Sequence, residues 1–569
     1  MNPPSLEVAG VAKSFGSLAV LTSVSLAVGA GEAVGIVGPN GAGKTTLLDL
    51  LTGTGRCDAG RVWLHGKDVT RLPPPLRARM GLGRTFQVPR PLGDLTVFEN
   101  ALVGAMRAGG MRGRPAYGAA YEALALTGMT GQANTRSSAL RLLDRKRLEL
   151  ARALAMRPKV LLLDEIAGGL SDPETEILIE TIRSVNARGT TIVWVEPGGR
   201  RALPDADRAA RRGRHAADRR AGPAPGHGGV RRPGVPAGGA GGAGRSGARG
   251  EAGPGGGRLL RRGRPAEIRR CADVSWVNSV IQGLLLGGQY ALIACGLSLA
   301  FGVMRIVNLA HGDLAVCGAY LGLVLSSALG VPVWVTLPLL LPAAFAVGVA
   351  LQVTLFGRAL RGGVLAPVLV TFGLSVMIEN LLQVAATSDP RGLAGGGLAL
   401  ASFRIGSQIT VSWLFMTAFL TACAVLSGLQ LLLSRTSWGR TVRATADDPD
   451  TARLVGIRVR PVFATVMGIA VATAALAGVF IGTIGTFDPY QGTNSLIFAF
   501  EAVVIGGIGS LWGTLAGGMA LGATQVVVGQ VNQACAVLAV HLFFLAVLAV
   551  RPNGLFAGHQ AAREAGALG

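Results

Sequence analysis

The stretch VGIVGPNGAGKTT, residues 34–46, decides the fold of the first part of this chain. An apolar run, Val34 to Val37, leads into a glycine-rich loop, and the helical pattern TTLLDLLTG follows. Glycines let successive backbone N–H groups surround phosphate oxygens, the lysine brings a positive charge to the β- and γ-phosphates, and the next hydroxyl binds Mg²⁺. The order strand, loop, helix favours an α/β P-loop nucleotide-binding domain over a chance glycine-rich turn. The predicted phosphate-binding residues are Gly38, Pro39, Asn40, Gly41, Ala42, Gly43, Lys44, Thr45 and Thr46.

A second acidic motif supports this site. Residues 160–165 spell VLLLDE, which is typical of a buried strand that ends in two carboxylates. Asp164 suits the Mg²⁺ shell, as the second acidic strand does in P-loop NTPases. Glu165 is placed to polarise an attacking water. The alternative is a solvated strand end, which the preceding apolar run makes the weaker interpretation.

Composition divides the chain into regions of different character. The 569 residues carry a net charge of +22, half of them are hydrophobic, and only 15% are charged. The mean hydropathy of +0.46 is high for a soluble protein and indicates membrane spans. We predict an α/β domain at 1–196, a low-complexity linker at 197–272, a transmembrane domain at 273–557 and a tail at 558–569.

The membrane half contains a series of long apolar stretches. A helix needs about 20 residues to cross the hydrocarbon core of a bilayer, and most of the stretches reach that length. This many apolar stretches cannot all be core helices of a small soluble domain. We therefore predict an all-α domain of about eight membrane helices. Glycine-rich breaks such as 506–509 are expected to interrupt a helix. The stretches lie near 277–300, 308–328, 332–356, 364–387, 411–434, 461–486, 496–523 and 527–550.

With these motifs in place, residues 5–196 resemble the ATPases of ABC transporters, specifically those of the branched-chain amino acid uptake family. The resemblance includes KSFG at 13–16, GRTFQ at 83–87, LELARAL at 148–154 and GGLS at 168–171. It implies that the nucleotide is ATP and that Phe15 stacks on its adenine. It also implies that Gln87 senses the γ-phosphate, acts with Glu165 in catalysis and joins Thr45 and Asp164 around Mg²⁺.

Two positions depart from the family pattern. Where relatives carry LSGGQ, residues 140–144 spell LRLLD, so the polar donors to the partner's ATP are missing. The signature is either degenerate or works through backbone N–H groups. After Glu196, where the family has a switch histidine, this chain has Pro197. We therefore expect slow or undetectable ATP hydrolysis.

Residues 197–272 are dominated by Arg, Gly, Ala and Pro, with 18 Arg against five acidic residues. Such a segment cannot bury enough apolar surface to fold alone, so it is predicted to be disordered. A basic linker that touches anionic lipid is one interpretation. Nucleic-acid binding is disfavoured because the segment has no Phe, Tyr or Trp for stacking. We favour a third: a frameshifted junction of two neighbouring genes, which would leave the ATPase domain without its last strands.

From residue 276 to 557 the chain resembles the permease subunits of the same family. The matching motifs are GVMRIVNLAHGD at 302–313, GRTVRA at 439–444, AVVIGGIGS at 502–510 and RPNGLF at 551–556. The polar interval 435–460 carries six arginines, and positive residues concentrate in cytoplasmic loops. By resemblance it is the coupling segment that docks beside Gln87, although an ordinary charged loop would have a similar composition.

Six polar side chains fall within or beside the apolar stretches: Asn308, His311, Asp313, Glu379, Asn380 and Glu501. Polar groups at membrane depth are costly, so they mark either a solute pathway or hydrogen bonds between helices. Five spans precede the coupling segment. If that segment is cytoplasmic, an odd number of crossings puts the start of the membrane half outside, although the ATPase joined to it belongs inside.

The resemblance implies an ATP-driven importer of branched-chain amino acids, or of a related small polar solute such as urea or amides, in the bacterial inner membrane. Its expected partners are a second ATPase, a second permease, an extracytoplasmic solute-binding protein and membrane lipid, with no nucleic acid. The alternatives are a non-functional fused reading frame and a membrane-tethered nucleotide-binding regulator.

Overall fold

The computed structural model describes residues 3–197, 265–360, 362–363, 365–396, 401–405 and 409–556. The predictions for the linker, from residue 198 to 264, and for the tail at 558–569 lie outside the described residues. The first helix of the membrane half begins at Pro265, earlier than the predicted boundary at residue 273. Proline is well tolerated in the first turn of a helix, where its missing N–H has no intrahelical partner to lose.

The ATPase half contains two four-stranded sheets. An antiparallel sheet has the order β2-β1-β4-β5, and a parallel sheet has the order β3-β8-β7-β6. Apolar residues from both sheets and from helix α1 share one core, so the antiparallel sheet packs beside the nucleotide loop. The strands are β1 Leu6–Phe15, β2 Leu18–Val28, β3 Ala33–Gly38, β4 Ala59–Leu64, β5 Lys67–Asp68, β6 Leu82–Arg84, β7 Val160–Asp164 and β8 Thr191–Pro197.

Six helices complete this half. Two of them begin with capping boxes, Thr96 with Glu99 on α3 and Ser171 with Glu174 on α6, which satisfy otherwise unpaired N–H groups. The helices are α1 Lys44–Thr52, α2 Pro74–Arg79, α3 Val97–Arg107, α4 Arg114–Leu126, α5 Leu142–Ala155 and α6 Asp172–Ala187. The α/β P-loop fold predicted from residues 34–46 and 160–165 is confirmed.

Eight helices in the described part of the membrane half are long and apolar enough to cross a bilayer. The prediction of about eight is confirmed. They are α7 Pro265–Met304, α8 His311–Leu329, α9 Val333–Ala359, α10 Leu365–Ala386, α11 Trp413–Arg435, α14 Val459–Ile484, α16 Leu511–Val531 and α17 Ala536–Val550, the last preceded by a short turn from Gln533. Between them lie β9 Arg391–Gly392, β10 Ser402–Ile405, β11 Ile409–Ser412, α12 Ser437–Asp447, α13 Pro449–Leu454, β12 Thr486–Phe487 and α15 Gln491–Gly506.

The apolar stretch at 496–523 is broken, as the glycines predicted. Helix α15 ends at Gly506 and α16 starts at Leu511. Gly507 and Gly509 have φ angles of 92° and 81°, which L-residues with side chains rarely adopt. The break therefore needs these two glycines.

The two ends of the bundle can be told apart by helix α11. Its carboxyl end at Arg435 leads into α12, which contacts the ATPase half. Its 23 residues span about 34 Å at 1.5 Å per residue, so Thr410, just before α11, lies at the far end. Gln282 on α7 donates a hydrogen bond to the carbonyl of Thr410. The first membrane helix therefore enters from the end opposite the ATPase, and the five spans before α12 agree with that.

Candidate nucleotide site and docking interface

The phosphate loop lies at the carboxyl end of strand β3, in the position that the motif predicts. Gly41 and Gly43 have φ angles of 83° and 80°. A Cβ at Gly43 would lie 2.8 Å from Leu21 Cδ2, so the neighbouring strand also excludes a side chain here. Helix α1 begins at Lys44, which points its N-terminal N–H groups into the loop and favours an anion there.

Lys44 is folded onto its own loop. Its Nζ donates hydrogen bonds to the carbonyl oxygens of Gly38 at 2.7 Å and Pro39 at 2.8 Å, and the residue is 8% exposed. These carbonyls hold the ammonium where bound phosphates would meet it. Thr45 is exposed beside it at the start of α1.

The acidic pair stands at the end of strand β7. Asp164 is 1% exposed, and its Oδ2 accepts a hydrogen bond from Arg84 Nη2 at 3.4 Å. Its other oxygen, Oδ1, is buried without a hydrogen-bond partner. Burial raises the pKa of Asp164, and Arg84 opposes that shift. An unpaired buried carboxylate oxygen is a good ligand for a divalent cation, so Thr45 and Asp164 fit Mg²⁺.

The two predicted catalytic side chains meet. Gln87 Nε2 donates a hydrogen bond to Glu165 Oε2 at 2.8 Å. Glu165 has a φ angle of 43°, uncommon for a non-glycine residue and frequent at active sites. The loop that carries Gln87 is held by Glu149 on α5, which accepts backbone N–H groups from Phe86 and Arg90. Gln87 thus sits between the acidic pair and the surface that faces the membrane half.

Phe15 is 59% exposed at the end of strand β1. Lys13 Nζ lies 5.3 Å from the centre of its ring. An exposed aromatic ring is a suitable stacking surface for a base, as the resemblance implies. That role stays a prediction.

The degenerate signature at residues 140–144 spans the start of helix α5. Arg141 is the N-cap residue and makes no side-chain cap hydrogen bond, and Leu142 is 44% exposed. One turn further on, Lys146 Nζ donates to the carbonyls of Ile166 and Gly168, both at 2.7 Å. Sequence reasoning did not single out Lys146, which ties α5 to the loop that follows the acidic pair.

The position of the missing histidine lies beside the phosphate loop. Pro197 is paired in parallel register with Gly38, and Glu196 with Val37. Glu196 is buried, and its Oε1 accepts a hydrogen bond from the indole N–H of Trp194 at 2.8 Å. The structure thus brings the switch position next to Gly38, where a proline offers no proton donor.

Helix α12 docks onto the ATPase half, as predicted for the coupling segment. Arg443 Nη2 contacts Glu99 Oε1 at 2.8 Å, and the backbone N–H of Gly93 donates to Asp447 Oδ2 at 2.6 Å. Gly93 lies six residues after Gln87 on the same loop. The contact is therefore with the distal part of that loop and with the start of α3.

A second group of contacts flanks the first. Arg107 donates to the hydroxyl of Thr441 and, at 3.2 Å, to the carbonyl of Ser437. At the end of α13, Gly456 has a φ angle of 87°, and a Cβ there would lie 2.7 Å from the backbone nitrogen of Ala108. This close approach requires glycine, so the two halves meet at a fitted surface.

We expect the Arg443–Glu99 pair to hold the two halves together. Arg443→Glu should speed hydrogen exchange in residues 437–447 and 93–99, because it places two carboxylates in contact. The double variant Arg443→Glu/Glu99→Arg should restore much of the protection, with a coupling energy of about 1 kcal/mol. Hydrogen-exchange mass spectrometry of the full chain in nanodiscs measures this. Arg458→Glu, an exposed arginine of the same interval, is the control. Equal rates of hydrogen exchange in Arg443→Glu and Arg458→Glu would contradict the prediction.

The predicted polar residues of the membrane half fall into separate groups. Asn308 caps the break between α7 and α8 through the N–H of Ala310, and His311 Nε2 lies 3.0 Å from the carbonyl of Ile293. Glu501 Oε1 lies 2.6 Å from His541 Nδ1. Asn380 bonds the carbonyl of Val376 on its own helix, at 2.7 Å.

Asp313 and Glu379 are joined to helices other than their own. Ser375 donates to Asp313 Oδ2 at 2.5 Å, and Thr493 donates to Glu379 Oε1 at 3.0 Å. The six predicted polar residues therefore do not form one site, and only these two share a neighbourhood. Ser375, the partner of Asp313, lies four residues before Glu379 on α10, so it could have been found in the sequence as a polar residue at helical spacing.

Comparison with known proteins identifies both halves. The family described as "Branched-chain amino acid transport system / permease component" matches residues 279–550, and the ABC transporter family matches residues 21–168. A branched-chain amino acid transport system permease protein of Pseudomonas aeruginosa, BraD, is 31% identical over 296 residues. The match covers 49% of this chain and 95% of BraD.

The ATPase half has relatives of its own. LivG of Salmonella typhimurium, a high-affinity branched-chain amino acid transport ATP-binding protein, is 39% identical over 211 residues, which cover 34% of this chain and 83% of LivG. A solved ATP-binding cassette of an ABC transporter in its ADP conformation is 29% identical and covers 34% of this chain and 81% of its own, with a TM-score of 0.31. The chain is therefore a multi-pass membrane protein that belongs to the branched-chain amino acid transport family of ABC transporters, with an ATP-binding half followed by a permease half.

Proposed function

We propose that the two halves of this chain serve an ATP-driven importer of branched-chain amino acids in the bacterial inner membrane. The docking of α12 against the loop that carries Gln87 supports this most strongly. It connects the γ-phosphate side of the nucleotide site to the helical bundle. The solute follows from the relatives, whose names specify branched-chain amino acid transport.

The chain's own residues suggest how ATP acts. Lys44 and the loop N–H groups hold the phosphates, and Phe15 carries the base. Thr45, Asp164 and Gln87 would hold Mg²⁺, which neutralises phosphate charge when bound. Glu165 orients the attacking water, and Gln87, bonded to Glu165, changes partner when the γ-phosphate arrives. That change moves Gly93 and, through Asp447, helix α12.

The partners are part of the proposal. A second ATPase would face Leu142 and the loop 168–171, and a second permease would cover the open side of the bundle. In this chain the membrane-length windows of α10, α11 and α17 are only 17%, 22% and 11% buried, which leaves room for that subunit and for lipid. An extracytoplasmic binding protein would deliver the solute.

Hydrolysis by the purified chain is expected to be slow or undetectable. Pro197 provides no side-chain donor beside Gly38, and the signature at residues 140–144 lacks its usual serine and glycines. Phosphate release from the full chain in nanodiscs, with Lys44→Ala as the background, measures this. Robust steady-state hydrolysis would contradict the prediction.

Uptake into vesicles tests the function itself. Right-side-out membrane vesicles, prepared with or without enclosed ATP, are made from cells that express the chain with the neighbouring transporter genes and lack other leucine importers. Radiolabelled leucine should accumulate only with ATP, and Glu165→Gln should abolish accumulation while the protein level stays unchanged. Accumulation of urea or an amide, but not of leucine, would overturn the proposal that the solute is a branched-chain amino acid. ATP binding without uptake of any of them would favour a tethered regulator.

We also propose, as a second candidate, that the chain is a fused reading frame of two adjacent transporter genes. The specific observation is that α7 enters from the end of the bundle opposite the ATPase, as the Gln282–Thr410 contact indicates. Translating the DNA for residues 197–272 in its other frames should reveal a histidine-switch sequence after Glu196. A single intact band near 58 kDa in native membranes would argue against this candidate.

A further inference from the structure

A polar stripe runs along one face of helix α10. Its four members are spaced four residues apart and therefore lie above one another on the helix. The rest of the helix is apolar enough to cross a membrane. The members are Thr371, Ser375, Glu379 and Gln383.

Each member of the stripe contacts a polar group on another element. Thr371 reaches the break between α7 and α8 through the carbonyl of Val307, at 3.4 Å. Ser375 donates to Asp313 on α8, and Thr493 on α15 donates to Glu379. Tyr490 donates to Gln383 Oε1 at 2.8 Å. The stripe thus connects the middle of the bundle to the end where β12 and Tyr490 lie.

Two carboxylates, Glu379 of the stripe and Asp313 on α8, have no cation partner among the described residues. Asp313 is 1% exposed, and its Oδ1 has no hydrogen-bond partner. Glu379 is half-buried and accepts one hydroxyl. No Lys, Arg or His of the described residues forms an ion pair with either. An unpaired carboxylate at membrane depth is costly, so by default it marks a functional site or a solute pathway.

Hydrogen bonding between helices does not explain these residues. Ser, Thr or Asn would join α8 and α10 without a charge, at about 1 kcal/mol for each bond. Contact with lipid does not explain them either, because hydrocarbon would make a half-buried carboxylate still more costly. The accessible side of Glu379 therefore faces water or a passing solute.

We propose that Asp313 and Glu379 form a solute subsite that holds the ammonium group of an amino acid. An ammonium has three donors and no acceptor, which suits carboxylate acceptors. Glu379 is the accessible carboxylate of the two, whereas Asp313 Oδ1 faces the Cα of Gly492 on α15. Tyr490, 50% exposed, marks the open end, and the buried Asp313 marks the inner end. The inference rests on the proposed function and adds the chemistry by which the permease recognises its solute.

Binding to the full chain in nanodiscs tests the subsite without partner subunits. Saturation-transfer NMR is recorded with three probes: leucine, isoamylamine, which keeps the ammonium, and 4-methylpentanoate, which lacks it. Leucine and isoamylamine should bind and 4-methylpentanoate should not. Glu379→Gln and Asp313→Asn should each weaken amine binding by about tenfold, the effect expected for losing a charged hydrogen bond. Glu379→Asp should retain most of it.

Asn380→Ala is the matched control, because Asn380 bonds only its own helix. Unchanged ATP binding shows that the nucleotide half of each variant has folded, and amine binding by Glu379→Asp shows that the membrane half tolerates a substitution at this position. The subsite is overturned if 4-methylpentanoate binds as well as isoamylamine, if Asn380→Ala loses as much as Glu379→Gln, or if the substitutions remove only a Na⁺ dependence of uptake. Amine binding without leucine uptake would reject the proposed importer and keep the subsite. Leucine uptake without amine binding would reject the subsite and keep the importer.

Discussion

Lys44→Ala is expected to weaken ATP binding by about 100-fold, since a hydrogen bond to a charged group contributes about 1.5–3 kcal/mol. The Lys44 ammonium is held by the carbonyls of Gly38 and Pro39 at 2.7 and 2.8 Å. It is therefore already placed in the loop and loses little freedom when phosphates replace those carbonyls. Displacement of a fluorescent ATP analogue from the full chain in nanodiscs measures the affinity.

Lys67→Ala provides the comparison for Lys44. Lys67 is an exposed lysine on β5 in the same half, with the same charge. It should leave ATP affinity unchanged, which separates a local contact from an effect of net charge. If both variants weaken ATP binding equally, the loop at 38–45 does not hold the phosphates as proposed.

Arg84→Met is expected to destabilise the nucleotide half by about 3–5 kcal/mol, the usual result of leaving a buried charge without its partner. Arg84 lies 2.6 Å from Asp49 and 3.4 Å from Asp164, and its side chain is 2% exposed. Removing it leaves Asp164 in an apolar surrounding without a cation. Hydrogen exchange in strands β6 and β7 reports the local loss of stability.

The effect of Arg84→Met should shrink at low pH. Burial already raises the pKa of Asp164, and losing Arg84 raises it further. Protonation then removes the unpaired charge, so the penalty is full above the folded-state pKa and fades as the pH falls through it. Arg188→Met is the control, because its ion pair with Glu122 is more than half exposed and contributes little. A loss that does not depend on pH would show that packing, not charge, is the cause.

The sequence predicted the features whose chemistry lies in adjacent residues. Lys44 and Thr45 follow their glycines directly, and Asp164 and Glu165 end one strand, so local spacing was sufficient. The membrane helices could be predicted equally well, because a long apolar run has few stable environments other than a bilayer. The break at 507–510 was predicted for the same local reason.

Contacts between distant segments could not be predicted in this way. Arg84 was quoted only as part of a motif, although it bridges Asp49, 35 positions before it, and Asp164, 80 positions after it. The partner of Glu501 is His541, which no sequence pattern singled out. Such pairs depend on how separate elements pack, and that arrangement is a property of the whole core.

The packing between α7 and α16 restricts how this bundle can move. A Cβ at Gly283, Gly287, Gly518 or Gly522 would overlap the backbone of the opposite helix. The two helices therefore pack backbone against backbone. If they separated, no side chain at these positions could fill the gap between them. Helices α7 and α16 therefore form a rigid pair, and the displacements that carry a solute fall to the thinly covered helices α10, α11 and α17.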